Sequence, residues 1–166
     1  MKFLEDILHN IKPHFEKGGK LEKMYPAFDA FETFLFVPKH TTTGGTHIKD
    51  AIDLKRTMVT VILAMIPCIL FGIWNIGNQY YLAIGENTTL MQSFFFGFWK
   101  FLPLLLVSYG VGLTVEFAFA VYRGHQVNEG YLVTGMLIPL IMPVDVPLWM
   151  LAVAVIFAVV IGKEVF

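Results

Sequence analysis

Apolar residues come in long uninterrupted runs after residue 56, whereas polar residues dominate before it. The run 57–75, TMVTVILAMIPCILFGIWN, contains nineteen residues without a charge. A helix of that length crosses the hydrocarbon core of a bilayer, and lipid-embedded helices tolerate a proline such as Pro67. A second run, 101–122, predicts a second spanning helix. The pattern therefore divides the chain into a surface segment over 1–56 and a transmembrane region over 57–166.

A shorter apolar stretch follows, NEGYLVTGMLIPLIMPVDVPLW, residues 128–149. Fifteen uncharged residues separate Glu129 from Asp145, but Pro139 and Pro143 interrupt them. The pattern predicts a helical hairpin with arms over 131–143 and 147–162. Either both arms cross a thinned region steeply, or they are broken helices with an irregular turn at depth. Broken helices build ion and substrate sites in transporters, although a hairpin that is merely shielded by other helices is an equal alternative.

The surface segment contains two amphipathic patterns. The first covers residues 3–12 and is broken by the glycine pair Gly18-Gly19, and a polar linker covers 39–50. The second follows Pro26, which suits the first turn of a helix. Asp29 and Glu32 lie on its other faces, and its apolar stripe consists of Phe28, Phe31, Phe34 and Leu35. Such a helix either lies on lipid or on a neighbouring subunit, or its rings form a wall for an apolar ligand.

Composition and charge agree with a membrane protein. Hydrophobic residues make up 56% of the chain, against about 45–50% in soluble domains. The net charge of -1 gives no indication of a nucleic-acid partner, and the single cysteine, Cys68, excludes a disulfide framework built by this chain alone. Lys55 and Arg56 precede the first run, and residues 76–92 contain no Lys or Arg. The positive-inside rule then places the N-terminus in the cytoplasm. We predict an all-α polytopic membrane protein in contact with the lipid bilayer.

Few residues indicate chemistry, because the chain lacks phosphate-binding and dinucleotide-binding glycine motifs. Glu116 is the exception. A carboxylate inside a spanning helix is costly and indicates a functional role by default, here binding a cation in transit or accepting a proton. An ion pair with Arg123 is the structural alternative. Ser108 and Gly112 form a pair of small residues on the same helix, which predicts close helix packing or, alternatively, room for a flat ligand.

Several stretches together resemble one family. They are FLEDI, FEKGGKLEK, HIKDAIDLKRTM, HQVNEGYLVTGML and PLWMLAVAVIFAVVIGKEVF. They are similar to the N-terminal part of the B subunit of the sodium-translocating NADH:quinone oxidoreductase, the Nqr complex of bacterial inner membranes. The D subunit of the Rnf complex shares the VTG and GK regions and is a more distant match.

The resemblance implies a membrane subunit of a redox-driven sodium pump, in which NADH oxidation and quinone reduction are coupled to sodium export. It implies partners in a multi-subunit complex, a fold of inverted repeats, a covalent FMN and a non-covalent riboflavin. The flavin residues of that family follow the segment matched here, so none is assigned in this chain. Glu164-Val165-Phe166 comes directly after an apolar helix without a polar tail. We therefore expect the chain to be the first part of a longer protein, inactive alone.

The resemblance also implies sites. Quinone contacts fall on Phe28, Phe31, Phe34 and Gly112, and an ion pathway falls on Glu116 and Asp29. Relatives often have Glu at this position, and the side chain of Asp29 is one methylene shorter than that of Glu. Two other hypotheses stay open: a solute channel or transporter without redox centres, in which the intact protein would contain no flavin, and an Rnf-type electron-transfer subunit.

Overall fold

The computed structural model describes residue 8 and residues 11–15, 21, 24–36, 44–46, 52–124, 127 and 130–165. The described part is helical and contains no strand. Its five α-helices are α1 (Tyr25–Leu35), α2 (Leu54–Ile84), α3 (Leu90–Arg123), α4 (Tyr131–Ile141) and α5 (Leu148–Val159), and the π-helical turn Val160–Val165 continues α5. The predicted all-α membrane class is confirmed. Most of the predicted helix over 3–12 and most of the linker over 39–50 lie outside the described residues.

Within the described ranges, three stretches are long and apolar enough to cross a membrane by length and composition: Leu54–Ile84, Leu90–Arg123 and Leu148–Val165. The sequence pattern predicts two spanning helices and a short hairpin. The second arm of that hairpin is longer than expected because the π-helical turn extends α5. The first arm, α4, has eleven residues, which correspond to about 16 Å at ~1.5 Å per residue. That length falls short of a bilayer core of roughly 30 Å.

Both long helices extend well beyond the predicted 57–75 and 101–122. Helix α2 has 31 residues and α3 has 34. From the sequence, polar and aromatic residues such as Asn78, Gln79 and Tyr80 indicate a loop. In the structure they lie inside α2. Intrahelical hydrogen bonds satisfy the backbone there as well as water would, so polar side chains do not end the helix. Gly85, with a positive φ of 80°, follows the last turn and suits this position because it has no Cβ.

The chain forms two compact units. The first, called the N-terminal unit, comprises Met1–Asp53 and Glu116–Asn128, and the second, called the helical unit, comprises Leu54–Val115 and Glu129–Phe166. In the N-terminal unit, α1 begins with Pro26 in its first turn. The ring of Phe28 stacks on Phe15 with centroids 4.9 Å apart. One helical turn later, the Lys12 ammonium donates to both carboxylate oxygens of Glu32, at 2.7 and 2.9 Å.

In the helical unit, α2 and α3 approach so closely that their backbones touch. A Cβ added at Gly77 would collide with the backbone carbonyl of Ser93, and one added at Gly97 would collide with the carbonyl of Ile73. The two contacts lie one turn apart on each helix, as antiparallel packing requires. In lipid, where apolar burial drives little association, small residues of this kind let two helices gain dispersion contacts.

The α4–α5 hairpin packs on these helices through two apolar clusters. One contains the buried side chains of Leu104, Tyr131, Leu151, Val155 and Val159, and the other contains Ile69, Ile73 and Phe101. The turn between the arms begins after Ile141 and ends at Pro147, the N-cap of α5. Asp145 in this turn lies 3.5 Å from the Lys100 ammonium, although both side chains are well exposed.

Substituting Gly77→Ala is expected to destabilise the helical unit, because the new methyl group overlaps backbone atoms that cannot rotate away. Overpacking of this kind costs about 1–3 kcal/mol. Thermal unfolding of the intact protein in detergent measures it. Gly72→Ala is the matched control, since Gly72 lies on the same helix with nothing within 4 Å of an added Cβ. Equal melting temperatures for the two variants would contradict the close approach.

Candidate functional site

The contact between α3 and α4 is built on Gly112. The position of its missing Cβ is filled by the hydroxyl and ring of Tyr131. Tyr131 is 2% exposed, and its hydroxyl donates to the backbone carbonyl of Ser108 at 2.8 Å. Ser108 lies one turn before Gly112, so the ring crosses α3 at the glycine and its hydroxyl reaches the preceding turn.

A second contact repeats this arrangement with the helices exchanged. Gly135 on α4 faces the ring of Tyr109 on α3, and a Cβ added at Gly135 would lie 2.9 Å from the ring carbon Cε1. The Tyr109 hydroxyl donates to the backbone carbonyl of Leu132. The two tyrosine rings meet edge to face, with centroids 6.4 Å apart. Each helix thus supplies one glycine, one tyrosine and one carbonyl, and we call the two sets the tyrosine–glycine contacts.

Ser108 resolves the problem that a proline creates inside α4. In an α-helix each N–H donates to the carbonyl four residues earlier, and Pro139 has no N–H. The carbonyl of Gly135 therefore lacks its usual donor. The Ser108 hydroxyl donates to this carbonyl at 2.8 Å, and Ser108 is fully buried. A buried carbonyl without a donor is expensive in lipid, so this hydrogen bond lets the buried Pro139 remain inside α4.

The predicted pair Ser108 and Gly112 therefore serves close packing of α3 against α4, which is one of the two alternatives that the sequence offers. The sequence pattern gave no indication of Tyr131, which occupies the volume left by Gly112. Tyr131 is the first residue of α4. The sequence around it does not reveal this contact, because the glycine beside which it packs lies on another helix. The quinone role of Gly112 stays a prediction.

The two candidate acids of the ion pathway belong to the N-terminal unit, and both are buried. Glu116 is 2% exposed and Asp29 is 8% exposed. Asp29 follows Phe28 directly and is buried with it, whereas the sequence pattern places it on a face away from the apolar stripe. The guanidinium of Arg123, the predicted alternative partner of Glu116, lies 5.5 Å from the centre of the Phe119 ring.

The predicted aromatic stripe of α1 does not form one continuous face. Phe28 is buried against Phe15, whereas Phe31 is 56% exposed. The Phe31 ring contacts Phe117, with centroids 5.7 Å apart and planes tilted by 51°. Phe34 lies on the last turn of the same helix. Phe117 is an aromatic neighbour that the sequence pattern did not reveal, although it follows Glu116 directly.

A further buried acid follows α5 in the helical unit. Glu164, in the π-helical turn after α5, is 7% exposed. Its sequence signal is the same as that of Glu116, an acid joined to a long apolar helix, but it is not among the predicted site residues. Among the described residues, no three His, Cys, Asp or Glu side chains cluster closely enough to hold a metal ion.

Comparison with known proteins identifies the family. The family model described as "NQR2, RnfD, RnfE family" matches residues 41–166. The chain belongs to this family. The resemblance found in the sequence motifs is therefore confirmed.

Individual relatives agree in name and extent. The chain is 39% identical over 184 residues to the B subunit of the Na(+)-translocating NADH-quinone reductase of Chromohalobacter salexigens, with 98% of this chain and 45% of that protein covered. The protein of the same name from Stutzerimonas stutzeri is 40% identical, with 96% and 45% covered. The protein of that name from Ectopseudomonas mendocina is 41% identical, with 99% and 45% covered. The chain thus spans about half the length of the curated relatives that it matches.

Substituting Ser108→Ala is expected to destabilise the helical unit by about 1–3 kcal/mol, because it leaves the Gly135 carbonyl buried without its hydroxyl donor. The same substitution in a Pro139→Ala background should cost much less, since the new N–H at position 139 can donate to Gly135. Thermal or denaturant unfolding of the intact protein measures both costs.

Thr114→Ala is the matched control for Ser108→Ala. The Thr114 hydroxyl also donates to a backbone carbonyl, that of Gly110 at 2.6 Å, but the bond is exposed and stays within its own helix. An equal cost of Ser108→Ala in the two backgrounds at position 139 would show that the hydroxyl does not replace the proline's missing donor.

Proposed function

We propose that this chain is part of a membrane subunit of a redox-driven sodium pump, which couples NADH oxidation and quinone reduction to sodium export. The observation that carries the proposal is the buried carboxylate of Glu116 in α3, a helix long and apolar enough to cross a membrane. The names of the relatives support it, since they describe the B subunit of a sodium-translocating NADH-quinone reductase.

In this proposal Glu116 and Asp29 contribute to the sodium pathway. A carboxylate loses most of its hydration when it is buried, and a sodium ion that has shed water needs oxygen ligands and a negative charge in return. A buried carboxylate supplies both. Glu116 and Asp29 belong to the same compact unit, and they are its buried acids among the described residues. The shorter side chain of Asp29 suits it to a secondary role.

Substituting Glu116→Gln in the intact complex is expected to raise the sodium concentration for half-maximal turnover by about tenfold, equivalent to ~1.4 kcal/mol. The amide keeps the size of the side chain but removes the charge that attracts the cation. Sodium titrations of NADH-driven quinone reduction measure the effect. Glu86→Gln is the control, because Glu86 is an exposed acid in the loop after α2. An unchanged sodium dependence at low sodium would remove the ion role of Glu116.

Quinone contacts are proposed for Phe28, Phe31 and Phe34. A quinone ring is flat and apolar, and aromatic side chains bind such rings by stacking or by edge contacts. The exposed ring of Phe31, supported by Phe117, offers a surface of this kind. Phe28 supports α1 from its other side through Phe15. Gly112 is proposed as a separate contributor to quinone binding, in the helical unit.

Substituting Phe31→Ala is expected to raise the KM for quinone about two- to twelvefold, which corresponds to the ~0.5–1.5 kcal/mol of an aromatic contact. Steady-state kinetics of the intact complex with varied quinone measure the change, and kcat should change little. Phe71→Ala is the matched control, because Phe71 is similarly exposed on another helix. Equal effects of the two substitutions would argue against a quinone contact at Phe31.

The cofactors FMN and riboflavin belong to this proposal as parts of the complete protein. When bound, they transfer electrons towards quinone. No described residue is assigned to them, and the Thr134 hydroxyl donates at 3.3 Å to Gly130 within its own helical turn. In this proposal the protein lies in the bacterial inner membrane with other subunits of its complex, and its N-terminus is cytoplasmic. The cluster Lys55-Arg56 at the start of α2 supports this orientation.

A further inference from the structure

We propose that Tyr131 is a positioning residue through which Gly112 acts on quinone binding. The proposal rests on the proposed quinone role of Gly112 and deepens it. Gly112 has no side chain, so its influence must come from its backbone or from whatever occupies the space beside it. In this structure that space holds the ring and hydroxyl of Tyr131.

Tyr131 cannot yield easily to a side chain at position 112. It is 2% exposed, so close-packed atoms surround it. Its hydroxyl donates to the Ser108 carbonyl at 2.8 Å, and its ring lies edge-on to Tyr109. An added methyl group would overlap both the hydroxyl and the ring carbon that carries it. Because these atoms belong to a rigid ring, the whole side chain has to move.

Movement of Tyr131 would affect the hairpin directly. Tyr131 is the first residue of α4, and its hydroxyl ties that end of the helix to α3. Displacement of the ring breaks the hydrogen bond to Ser108, so the start of α4 keeps only the bond from Tyr109 to Leu132 and can shift against α3. The face of Gly112 towards which a Cβ would point is therefore closed to a quinone ring as long as Tyr131 stays in place. A substitution there changes quinone binding by shifting α4.

The second tyrosine–glycine contact offers a control within the same interface. Gly135 faces Tyr109 as Gly112 faces Tyr131. A Cβ added at Gly135 would also lie closer to the facing ring than van der Waals contact allows. Gly135→Ala therefore loosens the same helix pair, but it acts on Tyr109, whose hydroxyl donates to Leu132, and not on the bond between the Tyr131 hydroxyl and Ser108. The Gly135→Ala variant therefore shows how general loosening of the α3–α4 pair changes the KM for quinone.

The test uses the intact protein in its complex with four variants: Gly112→Ala, Tyr131→Leu, the double variant, and Gly135→Ala. Leucine keeps an apolar side chain but lacks the ring atoms that meet the new methyl group. We expect Gly112→Ala to raise the quinone KM by about three- to tenfold, a typical coupling between neighbouring residues. Adding Gly112→Ala to Tyr131→Leu should change the KM by less than about twofold. The KM of Gly135→Ala should rise less than that of Gly112→Ala, because a Cβ at Gly135 overlaps its tyrosine less than one at Gly112 does. Melting temperatures of all four variants report folding.

Three outcomes would overturn the inference, and they differ in what else they affect. If Gly112→Ala raises the KM by the same factor with and without Tyr131→Leu, Gly112 keeps its quinone role but does not act through Tyr131. If Gly135→Ala raises the KM as much as Gly112→Ala at a similar melting temperature, general loosening of α3 and α4 explains the effect. If Gly112→Ala lowers only the melting temperature, the quinone role of Gly112 falls together with this inference.

Discussion

The buried Pro139 leaves one backbone carbonyl of the apolar helix α4 without its donor. The packing of the α4–α5 hairpin follows from how that carbonyl is satisfied. The Ser108 hydroxyl supplies the missing donor to Gly135. This hydrogen bond fixes the register of α3 against α4, because a shift by one turn would carry the hydroxyl about 5 Å away. With the register fixed, Gly112 faces Tyr131 and Gly135 faces Tyr109. A shifted register would leave the Gly135 carbonyl bare in an apolar surrounding.

Glycine has a different purpose in each helix pair of the helical unit. Between α2 and α3, Gly77 and Gly97 let backbone meet backbone, and the gain is dispersion over a long contact. Between α3 and α4, the glycines receive tyrosine rings, whose hydroxyls then reach carbonyls on the opposite helix. The first pair is held by shape. The second combines shape with directional hydrogen bonds, which resist both sliding and rotation. The short α4, with few turns to contribute contacts, depends more on such bonds than the long α2 does.

The sequence predicted the helical class, the long apolar helices and the turn at the prolines, because these depend on composition along the chain. It did not predict where the long helices end, since Asn78 and Gln79 are compatible with a helix that leaves the apolar layer. It indicated Ser108 and Gly112 as small residues, but their partners Gly135 and Tyr131 depend on helix register, which a single sequence does not encode visibly. The predicted acids Glu116 and Asp29 are buried, whereas the buried Glu164 was not predicted. The division of the phenylalanine stripe between Phe15 and Phe117 likewise depends on tertiary packing.

The Lys100–Asp145 pair marks how far the hairpin reaches along α3. Lys100 lies ten residues from Leu90, the first residue of α3, so the hairpin turn falls about 15 Å short of that end of the helix. The helical unit thus combines helices of different apolar length, since α2 and α3 exceed Leu148–Val165 and α4 is shorter than all three. Bilayer mismatch costs a fraction of a kcal/mol per Å. A thick bilayer therefore mismatches the short α4, and a thin bilayer mismatches the long α2 and α3. Membrane thickness thus acts on α4, the helix that contains Tyr131.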